Sequence, residues 1–102
     1  MLDFYADWCV ACKELEQFTF SDERVQNALK GTVLLQADVT ANNSDDKALL
    51  QRFNLFGPPG IIFFDSQSRE ETGLKVVGYK NASDFLQILN QRGSCLLETI
   101  RC

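Results

Sequence analysis

Apolar and polar residues follow two different periods along this chain, and together they predict alternating strands and helices. Met1 to Ala6 alternates with period two, which is typical of a strand. Apolar residues then recur every three or four positions from Cys12 to about Phe20, which predicts a helix whose core side carries Ala11, Leu15 and Phe18. Glu23 to Leu29 predicts a second, short helix with Val25, Ala28 and Leu29 turned inward.

The same alternation continues through the middle of the chain. Thr32 to Val39 is a mostly apolar run that predicts a buried strand, and the strand–helix–strand order predicts that it lies parallel to the first strand. Thr40 to Asp46 is polar and predicts a loop. We expect Ser44 to cap the helix that follows, which continues through Phe53.

Proline and glycine punctuate the second half of the chain. Phe56 to Gly60 contains two prolines and predicts a tight, non-helical approach to a strand over Ile61 to Asp65. Ser66 to Gly73 predicts a polar turn, and Leu74 to Tyr79 a further strand. The last predicted element is an amphipathic helix that begins with a capping arrangement and packs through Phe85, Leu86, Ile88 and Leu89; the capping pair is Asn81 and Asp84.

Composition excludes several classes of function. The 102 residues suffice for one domain, and a net charge of −4 gives no electrostatic reason to bind nucleic acid or an anionic membrane. Histidine is absent, so no Ser-His-Asp or Cys-His protease site and no His-ligated zinc can form. No phosphate-cradling glycine motif occurs, and no apolar run reaches the roughly 20 residues of a membrane span.

The four cysteines divide the chain into a domain and a tail. Residues 1–92 carry the predicted elements, whereas residues 93–102 carry Cys95 and Cys102, to which we assign no catalytic role. These two cysteines are seven positions apart and do not form the second CxxC of a four-cysteine zinc site, so we expect no metal. Because Met1 falls directly on a strand, we expect the chain to be a domain of something longer.

Cys9-Val10-Ala11-Cys12 lies between the first predicted strand and the first predicted helix, and it carries the candidate chemistry. If Cys9 begins the helix, its sulfur lies at the positive end of the helix dipole, beside backbone N–H groups that lack intrahelical partners. Those groups stabilise a thiolate, the form that attacks disulfides. Cys12, one turn later, can close a short disulfide. The motif therefore predicts thiol–disulfide exchange with no cofactor beyond the cysteine pair.

Two acidic residues are predicted to tune these thiols. Asp3 interrupts the first strand: it is either exposed on an edge strand, or buried below the cysteines with a raised pKa and able to exchange protons with a thiol. Glu16 shares a helix face with Cys9, Cys12 and Thr19 because these residues are three or four positions apart. Its alternatives are an ordinary exposed glutamate and a residue whose charge opposes thiolate formation.

The order of elements around the cysteine pair resembles the thioredoxin superfamily from Met1 to about Arg92. Within it, the segment Leu2 to Lys13 is most similar to the C-terminal periplasmic domains of the DsbD family, which are bacterial inner-membrane thiol:disulfide interchange proteins. Further matching segments are Thr19 to Asp22, Val33 to Ala37, Val39 to Asn42 and Phe63 to Asp65. The resemblance implies an α/β, three-layer fold in which helices flank a central mixed sheet, with the usual leading strand and helix missing.

The resemblance also implies roles for individual residues. Cys9 would be the exposed nucleophile, Cys12 the resolving thiol, and Asp3 the buried acid beneath them. Pro59 matches a cis-proline that faces the redox pair, so we expect partners to contact Trp8, Pro59 and Gly60. Gly60 departs from the family because threonine is usual there, and a proline at position 58 is uncommon.

In the DsbD family, this domain relays electrons from a membrane domain to the protein's own N-terminal domain, for disulfide isomerisation and cytochrome c maturation. The resemblance therefore implies a protein-disulfide reductase on the periplasmic side of the inner membrane. It would be monomeric as an isolated domain and would engage its partners through transient mixed disulfides. Two other readings stay open: a free-standing thioredoxin-like oxidant or isomerase, and a non-enzymatic binding module with structural cysteines.

Overall fold

A four-stranded mixed sheet forms the centre of the molecule. The structure is a computed structural model that describes residues 1–92, apart from the side chains of Thr72 and Arg92. The strands are β1 (Leu2–Tyr5), β2 (Leu35–Asp38), β3 (Gly60–Ile62) and β4 (Val76–Val77). Their spatial order is β2-β1-β3-β4. β1 and β2 pair in parallel, as predicted, whereas β3 is antiparallel to both β1 and β4.

Helices cover both faces of the sheet. They are α1 (Val10–Glu14), α2 (Glu23–Ala28), α3 (Ser44–Arg52) and α4 (Ala82–Arg92). α1 continues directly into a wider turn of π-helix over Leu15–Thr19. The predicted cap of α4 is confirmed, because the Asp84 backbone N–H donates to the Asn81 side chain at 2.8 Å.

Alternation along β1 and β3 builds two separate apolar clusters, one on each face. The first cluster lies on the α3 side and contains Phe4, Ala6, Cys9, Cys12, Val39, Leu50, Phe53, Leu55 and Ile62. The second cluster lies on the side of α2, α4 and the π-turn and contains Leu15, Val25, Leu29, Ile61, Phe63, Val76, Phe85 and Leu89. Each fully buried aliphatic or aromatic side chain stabilises the fold by roughly 1.5–3 kcal/mol. The predicted three-layer arrangement is thus confirmed, with the cysteine pair in the first cluster.

The prediction of a buried strand over Thr32 to Val39 is wrong in both length and burial. β2 covers only Leu35–Asp38 and is the exposed edge of the sheet. The side chains of Val33, Leu34 and Leu35 are more than half exposed, although Val39 is buried. An apolar run shows that a strand can form there, but whether a neighbour covers it depends on parts of the chain distant in sequence.

The predicted core side of the first helix is also partly wrong. Phe18 is exposed and Thr19 is fully buried, where its hydroxyl donates to the Lys80 carbonyl at 2.6 Å. The cause is the π-turn, in which the Phe20 N–H donates to the Leu15 carbonyl, five residues back, at 2.7 Å. One extra residue in the turn rotates the face that follows Leu15, so position 19 replaces position 18 in the core.

Three smaller predictions need correction. The strand expected over Ile61 to Asp65 is shorter, because Phe64 makes only an isolated bridge with Glu70. The strand expected over Leu74 to Tyr79 shrinks to β4, since Gly78 has a φ of 85° that turns the chain out of the sheet. The cap of α3 is Asn43, one residue before the predicted Ser44, and Asn43 forms a reciprocal capping box with Asp46.

Candidate redox site

The cysteine pair lies where β1 ends and α1 begins. A tight turn joins the two elements, and it is closed by the Cys9 N–H, which donates to the Ala6 carbonyl at 3.1 Å. Cys9 is the N-cap of α1, as predicted, and it forms a disulfide with Cys12. The Cα atoms of Cys9 and Cys12 are 5.3 Å apart, which is ordinary disulfide geometry. The site therefore has two sulfurs that can be interconverted between dithiol and disulfide.

The two sulfurs have different hydrogen-bonding surroundings. The Cys9 sulfur accepts the Cys12 backbone N–H at 3.1 Å, and such a donor favours the thiolate once the disulfide is reduced. The Cys12 sulfur lies 3.8 Å from the Phe4 carbonyl oxygen. A reduced Cys12 can donate its S–H to that acceptor, which favours the neutral thiol. The two sulfurs are therefore not equivalent in their hydrogen bonding.

Cys9 is far less exposed than the resemblance implied. Its exposed fraction is 6%, against 3% for Cys12, so the description of Cys9 as an exposed nucleophile is wrong for the disulfide form. Both cysteines belong to the first cluster, together with Phe4 of β1 and Ala6 just after it. Little of the Cys9 surface is therefore open to a partner sulfur in this form.

Asp3 lies on the central strand β1, and the edge-strand reading is therefore wrong. The carboxyl group is half-buried, and desolvation raises the pKa of Asp3 to about 6. A hydrogen bond with the Gln36 side chain, opposite Asp3 on β2, opposes this rise. A carboxyl group with this pKa can gain or lose its proton close to neutral pH.

Glu16 is exposed on the π-turn, and its negative charge contributes to the raised pKa of Asp3. The structure therefore couples the two acids that the sequence singled out. The charge of Glu16 is the third influence on the pKa of Asp3, after desolvation and the opposing Gln36 hydrogen bond.

Trp8 projects from the turn before Cys9 with 55% of its surface exposed. Its indole N–H donates to the Thr40 carbonyl at 2.9 Å, and the Asp7 backbone N–H donates to the Thr40 hydroxyl at 2.9 Å. Asp38 in turn accepts from the Thr40 N–H at 2.9 Å and from its hydroxyl. Sequence analysis missed Asp38 and Thr40; the available signal was an Asp-x-Thr turn pattern directly after a strand.

The proline segment leads directly into β3, a strand that pairs with β1. The Pro58–Pro59 peptide bond is cis, as the resemblance implied, and the buried Pro59 accepts the Gly78 N–H at 3.2 Å. Packing explains why residue 60 is a glycine, because a Cβ at this position would lie 2.6 Å from Leu55 Cδ1. Leu55 therefore fills the space that a side chain at position 60 would need.

Two further apolar side chains near these segments were not singled out from the sequence. Val10, inside the CxxC motif, is 71% exposed, and Phe56, just before the proline segment, is fully exposed. Isolated exposed apolar residues are common, but here both flank elements of the redox site.

Two features are absent from the part of the chain that the structure describes. Residues 1–92 contain no group of three or more cysteine or acidic side chains arranged to hold a metal ion. Over the same part of the chain, no helix is both long enough and apolar enough to cross a membrane. Cys95 and Cys102 lie outside the described residues, as does the predicted tail over 93–102.

Comparison with known proteins gives consistent matches. The family model of the thioredoxin-like domain matches residues 1–93. The thiol:disulfide interchange protein DsbD of Yersinia pestis is 60% identical over 89 residues, which are 87% of this chain and 15% of the relative. DsbD of Ralstonia nicotianae is 59% identical over 91 residues, 89% of this chain and 15% of the relative. The chain thus spans about 15% of the length of these curated relatives.

Solved structures resemble this fold over most of its length. The oxidised C-terminal domain of DsbD from Neisseria meningitidis superposes with a TM-score of 0.78 at 37% identity, covering 89% of this chain and 77% of that one. A thioredoxin from Thermus thermophilus superposes with a TM-score of 0.72 at 22% identity, covering 88% of this chain and 69% of that one. The second match supports the fold alone.

Proposed function

The chain belongs to the thioredoxin-like domain family and, within it, to the DsbD C-terminal domains, and from that premise we propose that it is a protein-disulfide reductase. One observation carries the proposal: a Cys9–Cys12 disulfide whose first sulfur caps a helix and accepts a backbone N–H. This arrangement suits a reversible dithiol far better than a structural staple, because the loop that it closes contains only two residues between the cysteines.

The reaction proceeds by two exchanges. The Cys9 thiolate attacks one sulfur of a partner disulfide, forming a mixed disulfide and releasing the first partner thiolate. The Cys12 thiol then loses its proton and attacks the Cys9 sulfur, which closes the Cys9–Cys12 disulfide and releases the second partner thiolate. The partner gains two electrons and two protons in total. An upstream dithiol protein reverses the same two steps and restores the reduced pair.

Asp3 and Glu16 tune the second exchange in this proposal. With a pKa of about 6, Asp3 is mostly ionised at neutral pH yet readily protonated, so it can accept the proton that Cys12 loses. Burial is the main cause of the raised pKa of Asp3, and the charge of Glu16 adds to it. The negative charge of both acids opposes thiolate formation, whereas the helix start favours it. Such a balance keeps the reduced cysteine pair unreactive until a docked partner changes its surroundings.

Partners and location follow from the relatives and form part of the proposal. The curated relatives are named thiol:disulfide interchange protein DsbD. We infer that this domain accepts electrons from a membrane domain and passes them to a periplasmic partner domain, for disulfide isomerisation and cytochrome c maturation. Trp8, Pro59 and Gly60 would meet the partner. Residues 1–92 would form the redox domain, and residues 93–102 a tail without a catalytic role.

Substitution of each redox cysteine tests the activity. In a background with Cys95→Ser and Cys102→Ser, Cys9→Ser should abolish the catalysed reduction of insulin disulfides. Cys12→Ala should instead trap partner proteins as mixed disulfides on Cys9, releasable by dithiothreitol. The matched control is Cys9→Ser with Cys12→Ala, which should trap nothing. Wild-type rates in the Cys9→Ser variant would disprove the proposal.

The reduction potential separates a reductase from an oxidant. Equilibration of the Cys9–Cys12 pair against glutathione should give a potential nearer to about −270 mV than to about −120 mV. A potential near about −120 mV would mean that the domain donates its disulfide to partners and so oxidises them, which contradicts the proposed direction of electron transfer.

A further inference from the structure

The turn that precedes Cys9 is attached to a loop that is distant in sequence. Asp7 and Trp8 belong to neither β1 nor α1, and both are exposed. Within residues 1–92, two hydrogen bonds restrain them besides the bond that closes the turn, and both go to Thr40: one from the Asp7 N–H and one from the Trp8 indole. Thr40 follows β2 and lies 32 and 33 positions away from these donors.

Thr40 is itself anchored by Asp38. The Asp38 carboxylate accepts both the Thr40 backbone N–H and the Thr40 hydroxyl hydrogen. The hydroxyl group therefore donates to Asp38 and accepts from Asp7 at the same time, so its orientation is fixed. These hydrogen bonds also lower the pKa of Asp38, which keeps the acceptor ionised at neutral pH.

Building on the proposed function, we propose that Thr40 is a positioning residue that holds the Asp7–Trp8 turn beside Cys9, so that protein partners reach the disulfide more readily than small thiols do. Cys9 is the residue directly after the turn, and only 6% of its surface is exposed. Loosening the turn opens the sulfur to any nucleophile. The same loosening disorders Trp8, the large exposed side chain that a protein partner would meet first.

The two effects of losing the Thr40 hydroxyl have opposite signs, which separates a positioning role from a merely structural one. Thr40→Val keeps the shape of the side chain but removes the acceptor for Asp7 and the donor to Asp38. We expect glutathione to reduce the variant disulfide about threefold faster, and KM for insulin to rise about threefold with kcat little changed, the size expected for one lost hydrogen bond. Thr40→Ser retains the hydroxyl and is the matched control, with both rates near wild type.

Trp8 provides a readout that does not depend on activity. It is the only tryptophan in the chain, so its fluorescence reports this turn alone. Acrylamide should quench Trp8 more strongly in Thr40→Val than in the wild type or in Thr40→Ser. Asp38→Ala, which removes the anchor, should shift quenching and both rates in the same directions, and it serves as the second variant if Thr40→Val fails to fold.

The outcomes distinguish this inference from the proposed function. If the wild type reduces insulin but Thr40→Val changes neither the glutathione rate nor the quenching, the positioning role is overturned and the activity stands. If the wild type fails to reduce insulin, the proposed activity fails, and the glutathione and quenching measurements still decide whether Thr40 shields Cys9. Both rates falling together in Thr40→Val would also overturn the role.

Discussion

On one side of β1 the neighbouring strand, β3, is buried along its whole length, whereas on the other side the neighbour, β2, is largely exposed. Each neighbouring strand positions residues that we include in the proposed redox site. The β3 side supplies Pro59, held by close packing of Gly60 against Leu55. The β2 side supplies Thr40 and Gln36, which act on the turn and on Asp3 through hydrogen bonds.

The difference shows that one site can combine two kinds of support. Packing on the β3 side fixes the proline segment in one position, because close-packed groups have few alternative positions. Hydrogen bonds on the β2 side hold the Asp7–Trp8 turn and Asp3, and each contributes only about 0.5–1.5 kcal/mol. We therefore expect substitutions on the two sides to differ both in size and in what they change.

The largest effect is expected from Gly60→Thr on the packed side. The new Cβ would meet the tip of Leu55, whose exposed fraction is only 4%, so we expect a loss of about 3 kcal/mol in the free energy of unfolding. Urea denaturation of the oxidised protein measures the loss. Leu55→Ala frees the space, and the double variant should be at least about 1 kcal/mol more stable than the sum of the single losses predicts. Simple additivity would show that Leu55 is not the obstacle.

Asp3→Asn probes the polar side and should stabilise the protein at neutral pH. The folded protein holds the Asp3 proton more tightly than the unfolded chain does, because folding raises the pKa from 3.8 to about 6. Wild-type stability therefore falls as pH rises through that window and stays reduced above it. The full shift corresponds to at most about 3 kcal/mol, and partial solvent exposure reduces our expectation to about 1–2 kcal/mol.

Urea denaturation at pH 4 and pH 7 checks the sign of the Asp3 effect. Asn at position 3 should make the protein more stable than the wild type at pH 7. The advantage should largely disappear at pH 4, where the folded wild-type carboxyl is protonated and the pH is close to the unfolded-state pKa of 3.8. Asp7→Asn, at an exposed position in the same part of the chain, is the control for the loss of one negative charge. An Asp3→Asn variant that is less stable at pH 7 would contradict the assigned burial.

Local signals in the sequence predicted much of the fold and site, and non-local contacts account for the failures. The CxxC motif at a strand–helix junction correctly placed Cys9 as the N-cap, because capping depends on neighbouring residues only. The exposure of Leu35 could not be predicted, since it depends on which strands lie at the edge. Thr40 was missed for the same reason: its contacts with the turn cross more than 30 residues.

The π-turn illustrates a subtler failure. Helical periodicity assumed α geometry, which placed Phe18 in the core and Glu16 in line with the cysteines. One extra residue in the turn put Thr19 in the core and left Phe18 in solvent. Glu16 nevertheless influences the site through the charge that it exerts on Asp3. The periodicity placed Glu16 beside Cys12, whereas the effect of its charge in the structure is on Asp3; a role in tuning the thiols stays a prediction.

Glu16→Gln should have a smaller effect than Asp3→Asn, because Glu16 acts on Asp3 through charge alone. Removing the charge should lower the pKa of Asp3 by a few tenths of a unit, roughly what an exposed partner charge contributes in water. NMR titration of the Asp3 carboxyl measures the shift, which should shrink in about 1 M salt because of screening. Glu14→Gln, exposed on the same helix, is the control; an equal shift there would remove any specific coupling between Glu16 and Asp3.

The smallest effect is expected for Leu35→Thr on β2, and it tests the comparison most directly. Leu35 and Ile62 both pair with Leu2, from opposite sides of β1, yet Leu35 is 58% exposed and Ile62 is fully buried. Threonine suits an exposed strand, so Leu35→Thr should change the free energy of unfolding by less than about 0.5 kcal/mol. The same substitution at Ile62 should cost about 3 kcal/mol, from the cavity and the buried hydroxyl. Equal losses would mean that β2 is held by packing after all, and that something covers Leu35 when the protein is in solution.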